Sequence, residues 1–140
     1  HKQEHLARAV LESVAYALRH VAEELTESGA RIDEMRVCGG QALSEDWNQI
    51  KADVLGVPVA VPRVREAALM GAAVLAGVGA GLLPDITEGA NQMVRIDGVL
   101  EPIPAHHRQY TDLFGVYKRL YPDLRSAFRQ LNSSAQEEEC

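Results

Sequence analysis

Cysteine is scarce in this sequence: Cys38 lies in an apolar run and Cys140 ends it. That spacing indicates neither a disulfide framework nor a cysteine-based zinc cluster. Basic charge is also short, with 14 Lys and Arg against 20 Asp and Glu and a net charge of −6. The electrostatic footprint of a nucleic-acid or anionic-membrane binder is therefore missing. No apolar run is long enough to span a bilayer. The charge-free stretch from Ala67 to Leu83 is short and rich in Ala and Gly, and reads as a buried helix followed by a glycine-rich loop. No signal peptide is expected, because the opening residues are charged and lead into an amphipathic helix. The cytoplasm is the expected compartment. Catalytic machinery is missing too. No serine has an activating partner, no carboxylate pair stands out, and no Lys-Ser or Lys-Thr follows a glycine pair as in a P-loop.

What is present is about one domain: 140 residues, 46% apolar and 24% charged. The opening "HKQEH" spells H-x-x-E-H, a zinc-protease pattern. A zinc site needs a third ligand and a fixed backbone, and neither is signalled around His1 and His5. Two helix histidines are the simpler reading, with a zinc hydrolase as the rival.

Leu6, Val10, Val14, Leu18, Val21 and Leu25 recur at helical spacing, which predicts one long helix from about Gln3 to Ser28, stopped at Gly29. A strand around Met35 to Val37 runs into "CGGQA". Ser44 can cap a helix through Trp47, Ile50 and Val54 that Gly56 closes. "VPVAVP" predicts a second strand, near a sheet edge because of Pro58 and Pro62. A helix from Glu66 to Ala76 and the loop "GVGAGLLPD" follow. This order is a crossover between two parallel strands, too few for a covered sheet, so an upstream part is expected. "MVRIDGVLEP" predicts a hairpin turning at Asp97–Gly98. Pro104 starts a helix through Tyr110, Phe114 and Tyr117, whose aromatics read as core or interface, and Pro122 starts another. Residues 132–140 form a polar tail, expected to be disordered.

"CGGQALSEDW" carries the main functional signal. A strand entering Gly39–Gly40 and then a capped helix lets backbone approach a ligand with no Cβ in the way. Ligands of α/β sheets sit at such strand ends, where helix amides suit a phosphate or ribose. A plain structural connector has the same pattern, so the turn alone leaves both readings open.

The longer stretch "RVCGGQALSEDWNQIKADVLGVPVAVPRVREAALMGAAVLAG" resembles the adenosine-binding and second connecting segments of the FGGY carbohydrate kinases. "HLARAVLE" is similar to the second half of that family's C-terminal signature, which places His5 at the start of a packed helix. The resemblance covers about residues 4 to 131. "WNQIKADVLGVPV" and "YTDLFGVYKRLYPDLR" resemble the xylulose kinases in particular. The resemblance implies an α/β fold, part of an actin-like (ribonuclease H-like) ATPase domain with extra C-terminal helices. Its antiparallel meander and its general-base Asp would lie upstream. Residues 1–131 would then be the C-terminal nucleotide-binding portion of a sugar kinase that is inactive on its own.

By the same resemblance Gly39, Gly40, Gln41 and Ser44 bind the nucleotide. Gly39 and Gly40 admit the ribose and α-phosphate side, and Ser44 lies near the adenine. Gln41 replaces a usual small residue. Gly71 matches a packing glycine and Glu66 a helix cap or anchor. No residue here is implied as catalytic or as a metal ligand. ATP and Mg²⁺ are the implied cofactors, with magnesium held outside this chain. The implied partners are ATP or ADP and a sugar, most of all xylulose or a related pentulose, bound mainly upstream. Nucleic acid and membrane are not implied, and a homodimer stays open. The alternative is a stand-alone nucleotide-binding or interaction module without catalysis.

Overall fold

The computed structural model describes residues 2–137, with side chains as far as Leu131. The element order is α1 (Gln3–Glu27), β1 (Met35–Arg36), a 3-10 turn (Gly39–Leu43), α2 (Glu45–Leu55), β2 (Val59–Pro62), α3 (Ala67–Gly79), α4 (Ile86–Met93), β3 (Ile96–Leu100) and α5 (Pro104–Glu137). The crossover is present. β1 and β2 run parallel, with Met35 opposite Val59.

Three expectations about strands and prolines need correction. First, β2 is the central strand of the order β1-β2-β3 and not an edge. Pro62 is tolerated there because the register shifts between Val61 and Pro62, and a bulge is where a missing amide costs least. Second, Asp97–Gly98 is not a turn. It lies inside β3, antiparallel to β2, with Gly98 opposite Val61. Asp97 accepts from Arg63 Nε at 3.0 Å across the strands instead of closing a hairpin. Third, Pro122 does not start a new helix but lies inside α5. It forgoes the amide bond one turn back, and its ring crowds the carbonyl of Lys118 four residues earlier. The backbone of residues 132–137 continues that helix, and residues 138–140 of the expected tail lie outside the described residues.

Helix α2 is the keel of the molecule. One face sets Ile50 and Val54, a helical turn apart, among Ala15, Tyr16, Tyr110 and Phe114 of α1 and α5. The other sets Ala52 against Val37, Ala42 and Val59 at the sheet. Tyr16, Phe114 and Tyr117 stack with ring centroids 5.3 to 6.0 Å apart. Tyr110 seals the seam by donating to Glu12 Oε1 at 2.8 Å while accepting from Arg8 Nη2 at 2.8 Å. Burial, and then the bond to Glu12, raise the Tyr110 pKa. The stripe expected to pack α1 is largely uncovered: Leu6, Val10, Val21 and Leu25 are exposed. Leu11, Ala15 and Tyr16 face the core instead.

The start of α5 is fixed by one carboxylate. Asp53, 3% exposed, accepts from the Ile103 amide at 2.7 Å and from Gln49 Nε2 at 2.9 Å. Its other oxygen lies 2.9 Å from His106 Nδ1. His107 Nδ1 donates to the Asp53 carbonyl at 2.9 Å, and its ring fills the space a side chain at Gly56 would need.

Helix α3 runs to Gly79, past the Ala76 expected, so part of the glycine-rich loop is helical. Helix α4 was not expected, although Asp85 Oδ1 caps it by accepting from the Glu88 amide at 2.8 Å. The two helices meet through small residues. A Cβ at Gly77 would lie 2.7 Å from Leu83 Cδ1, and one at Gly89 2.9 Å from Val74 Cγ1. Gly71 meets nothing within 4 Å, so the packing role assigned to it falls to Gly77 and Gly89. Between α3, α4 and the sheet lies an apolar groove of about 460 Å³, lined by residues including Val37, Pro62, Met70, Val74 and Ile86.

Candidate functional site

The Gly-Gly turn lies at the C-terminal end of β1, where the chain leaves the sheet and reaches the N-terminus of α2. Gly39 adopts φ +66, a left-handed conformation that a Cβ would strain. Its amide donates to the Arg65 carbonyl at 2.7 Å, which ties the turn to the β2–α3 connection. A Cβ built on Gly39 or Gly40 meets no atom within 4 Å, so open space adjoins the backbone there. Gly40 and Gln41 are exposed, and so is Leu43, at 67%.

Below this open side the turn is anchored. Ala42 is buried, and its carbonyl accepts from Asn48 Nδ2 at 3.3 Å. Asn48, itself buried, accepts from Lys51 Nζ at 3.2 Å. That ammonium lies 4.3 Å from the centre of the Trp47 ring, whose indole N–H donates to the Leu11 carbonyl at 3.1 Å. Lys51 is fully buried, and burial lowers its pKa. A chain of contacts thus runs from α1 through α2 to the turn.

Ser44 is the N-cap of α2, its Oγ accepting from the Trp47 amide at 3.3 Å. Glu45 and Asp46 occupy the first helical turn. They suit the helix dipole but oppose a phosphate at that end. The electrostatics favour an uncharged ring or ribose over α2, with phosphates elsewhere.

The four expected residues therefore lie together. Gly39, Gly40 and Gln41 are in the 3-10 turn, and Ser44 is at its junction with α2. Sequence reasoning missed two supports. Asn48 was legible as a polar residue one turn before Ala52 on the buried face of α2, and such a residue must find a partner. The Arg65 carbonyl carried no signal, since backbone acceptors are independent of side-chain type. Glu66 stands at the N-cap of α3 with no side-chain capping bond. His5 is a first-turn residue of α1 whose Nδ1 accepts from the Lys2 amide at 3.0 Å, while His1 lies outside the described residues. Among the described residues no three His, Cys, Asp or Glu side chains group as a metal site.

Residues 1–80 match the model of the C-terminal domain of the FGGY family of carbohydrate kinases. A glycerol kinase of Pseudothermotoga lettingae is 44% identical over 101 residues, 71% of this chain and 20% of its own. A xylulose kinase of Bacillus subtilis is 28% identical over 137 residues, 96% of this chain and 28% of its own. The ligand-bound xylulose kinase of Lactobacillus acidophilus superposes with a TM-score of 0.84 at 25% identity, covering 94% of this chain and 26% of that one. The chain thus spans roughly a fifth to just over a quarter of the length of these relatives. Its fold is α/β, part of the actin-like, ribonuclease H-like ATPase fold of such kinases. By sequence match and by superposition, the chain belongs to the FGGY family of carbohydrate kinases.

Proposed function

We propose that the protein carrying this chain transfers the γ-phosphate of ATP to a hydroxyl of a small sugar, and that residues 1–131 supply part of the ATP seat. The observation that carries this reading is the open Gly39–Gly40 turn at the strand end, fixed from below by Asn48. The ribose and α-phosphate side of the nucleotide rests on the backbone of Gly39 and Gly40. Gln41 borders it, and Ser44 lies near the adenine. Kinases of this chemistry work mainly by positioning and charge stabilisation in a closed cleft. Here that assigns this chain to holding the nucleotide, with the Asp that takes the acceptor's proton supplied upstream. The magnesium that accompanies ATP would be held by its phosphates and by residues outside this chain, and no step is routed through it here. No helix among the described residues is long and apolar enough to cross a membrane, and we place the kinase in the cytoplasm.

The acceptor we favour is xylulose or a related pentulose. The support is the reach of the match: the Bacillus subtilis xylulose kinase aligns over 96% of the chain, including α5. A second reading, glycerol, rests on the 44% identity to a glycerol kinase over a shorter span. Steady-state assays of the natural full-length product with ATP and either acceptor decide between them. The larger kcat/KM is expected with xylulose, and a preference for glycerol would reverse the assignment. The 140-residue chain alone should phosphorylate neither. Activity from that chain would overturn the division of labour. A full-length product that binds ATP yet phosphorylates no acceptor would favour the alternative of a nucleotide-binding or interaction module.

A further inference from the structure

Lys51 and Asn48 are a costly pair to place inside a small domain. Lys51 is fully buried, and Asn48 is 1% exposed. An ammonium and a primary amide give up water there, and two apolar side chains of similar size would pack without that cost. What the polar pair adds is direction.

The direction comes from donor and acceptor chemistry. A carboxamide has one donating and one accepting end, and a half-turn of the side chain exchanges them. The Ala42 carbonyl can only accept, and the Lys51 ammonium can only donate. With Asn48 Oδ1 accepting from Lys51 Nζ at 3.2 Å and Nδ2 donating to the Ala42 carbonyl at 3.3 Å, both ends are matched. The half-turn would set donor against donor and acceptor against acceptor. Without the ammonium, the carbonyl alone would hold the amide in place. Lys51 Nζ is in turn seated 4.3 Å from the centre of the Trp47 ring, which the Leu11 carbonyl fixes to α1.

We infer that Lys51 is a positioning residue for the nucleotide seat. It acts through Asn48, whose oriented amide holds Ala42, a member of the same 3-10 turn as Gly39 and Gly40. The backbone of those glycines is thereby set at one angle to the nucleotide. Lys51 does not touch the nucleotide, since no part of it reaches the surface. Lys51, Asn48 and Ala42 are all buried within this chain, so no element from outside it enters the relay. The inference rests on the nucleotide reading of the turn proposed above and is independent of the acceptor.

The test is calorimetric titration of MgATP into the natural full-length product and its variants. Lys51→Met fills the space without the donor and should raise the Kd for ATP about fivefold, with the number of sites per molecule unchanged. A residue that served folding alone would lower that number and leave Kd as it was. Lys51→Gln returns a donor without the charge and should recover most of the affinity. Asn48→Asp keeps a partner for Lys51 but has nothing to donate to Ala42, and should weaken ATP binding as Lys51→Met does. Gly40→Val, which blocks the seat directly, is the reference. If it binds ATP as the parent does, or if the parent binds none, the nucleotide reading falls and the positioning role with it. If Gly40→Val weakens binding while Lys51→Met or Asn48→Asp does not, the seat stands and the positioning role is overturned. A Lys51→Gln protein as weak as Lys51→Met overturns it too.

Discussion

The amide of Gly39 and the carbonyl of Arg65 meet at 2.7 Å, so the turns that leave two parallel strands are fastened to each other. That bond consumes the Gly39 donor and leaves Gly40 as the exposed glycine of the pair. The two glycines then separate by substitution. Gly39→Ala forces a Cβ into the left-handed region and should lower stability by ~1 kcal/mol, read by urea denaturation. Gly40→Val puts bulk into open space and should leave that midpoint in place. In the full-length kinase it should raise the KM for ATP about tenfold, equivalent to ~1.4 kcal/mol. An unchanged KM would remove the backbone of Gly40 from the nucleotide seat.

Ser44 is best tested by contrast. Ser44→Ala removes the acceptor for the Trp47 amide and should cost ~1 kcal/mol, whereas Ser44→Asp keeps a capping oxygen and should cost little. Asp adds a third negative charge beside Glu45 and Asp46, but with the phosphates lying away from this helix end ATP should bind to it about as well as to the parent. A marked loss of affinity would bring the phosphates to the N-terminus of α2.

Much of this was legible beforehand, and the reason differs by element. The glycine stop at Gly56, the Ser44 cap and the parallel pairing of β1 with β2 follow from local chemistry and chain connectivity, which sequence carries directly. The centrality of β2 was not legible. It depends on β3, and β3 was hidden because Asp97–Gly98 has turn chemistry while Arg63, far away in sequence, holds Asp97 in a strand. The packing face of α1 was misread because Tyr16 and Ala15 outrank the larger aliphatic stripe only once α5 is present. Gly39 to Ser44 were placed by resemblance. Asn48, which supports them through the Ala42 carbonyl six residues back, was legible as a buried polar residue but not as the anchor of the turn.

Asp53 is a second point of failure, far from the turn. Asp53→Ala leaves the Ile103 amide, Gln49 and His106 without their shared acceptor. A loss of ~3 kcal/mol is expected for breaking such a buried network. Hydrogen exchange should show the start of α5 opening first. Protection at Ile103 and His107 equal to the parent would refute the clasp.

Lys51 is buried with one side-chain acceptor, Asn48 Oδ1, and a ring face as neighbours. Lys51→Met relieves the buried charge but leaves the buried Asn48 Oδ1 without its donor, so a net loss of ~1 kcal/mol is expected at neutral pH. The sign with pH follows from the lowered pKa. The folded state sheds the proton below the ordinary 10.5, so the penalty is full in acid and neutral solution. It fades as pH rises from the folded value toward 10.5. The Met variant should therefore fall further behind the parent in alkali, and a gap that narrowed would contradict the assignment.

Tyr16 behaves in the opposite sense. Among the described residues its buried hydroxyl has no hydrogen-bond partner. Burial, and then the charge of Glu12, push its pKa from 10.0 up to about 12. The folded state therefore resists ionisation that the unfolded chain undergoes, and the resulting stability is present below pH 10 and lost between 10 and 12. Tyr16→Phe should remove that alkaline slope and raise neutral stability by ~1 kcal/mol through loss of the unpaired group. Thermal melts across pH 8 to 12 follow both effects.

The bond from Tyr110 to Glu12 joins residues 98 apart in the sequence, and Phe114 stacks on Tyr16 across a similar span. A ribosome delivers these partners in strict order. Helix α2 reaches α1 early and brings Ile50 and Val54 to Ala15 and Tyr16, but the aromatic side of that cluster is missing until α5 has left the exit tunnel. Closure of this domain is a late and non-local event, and any truncation before Tyr110 releases a chain whose first helix is packed on α2 alone, without its aromatic cover.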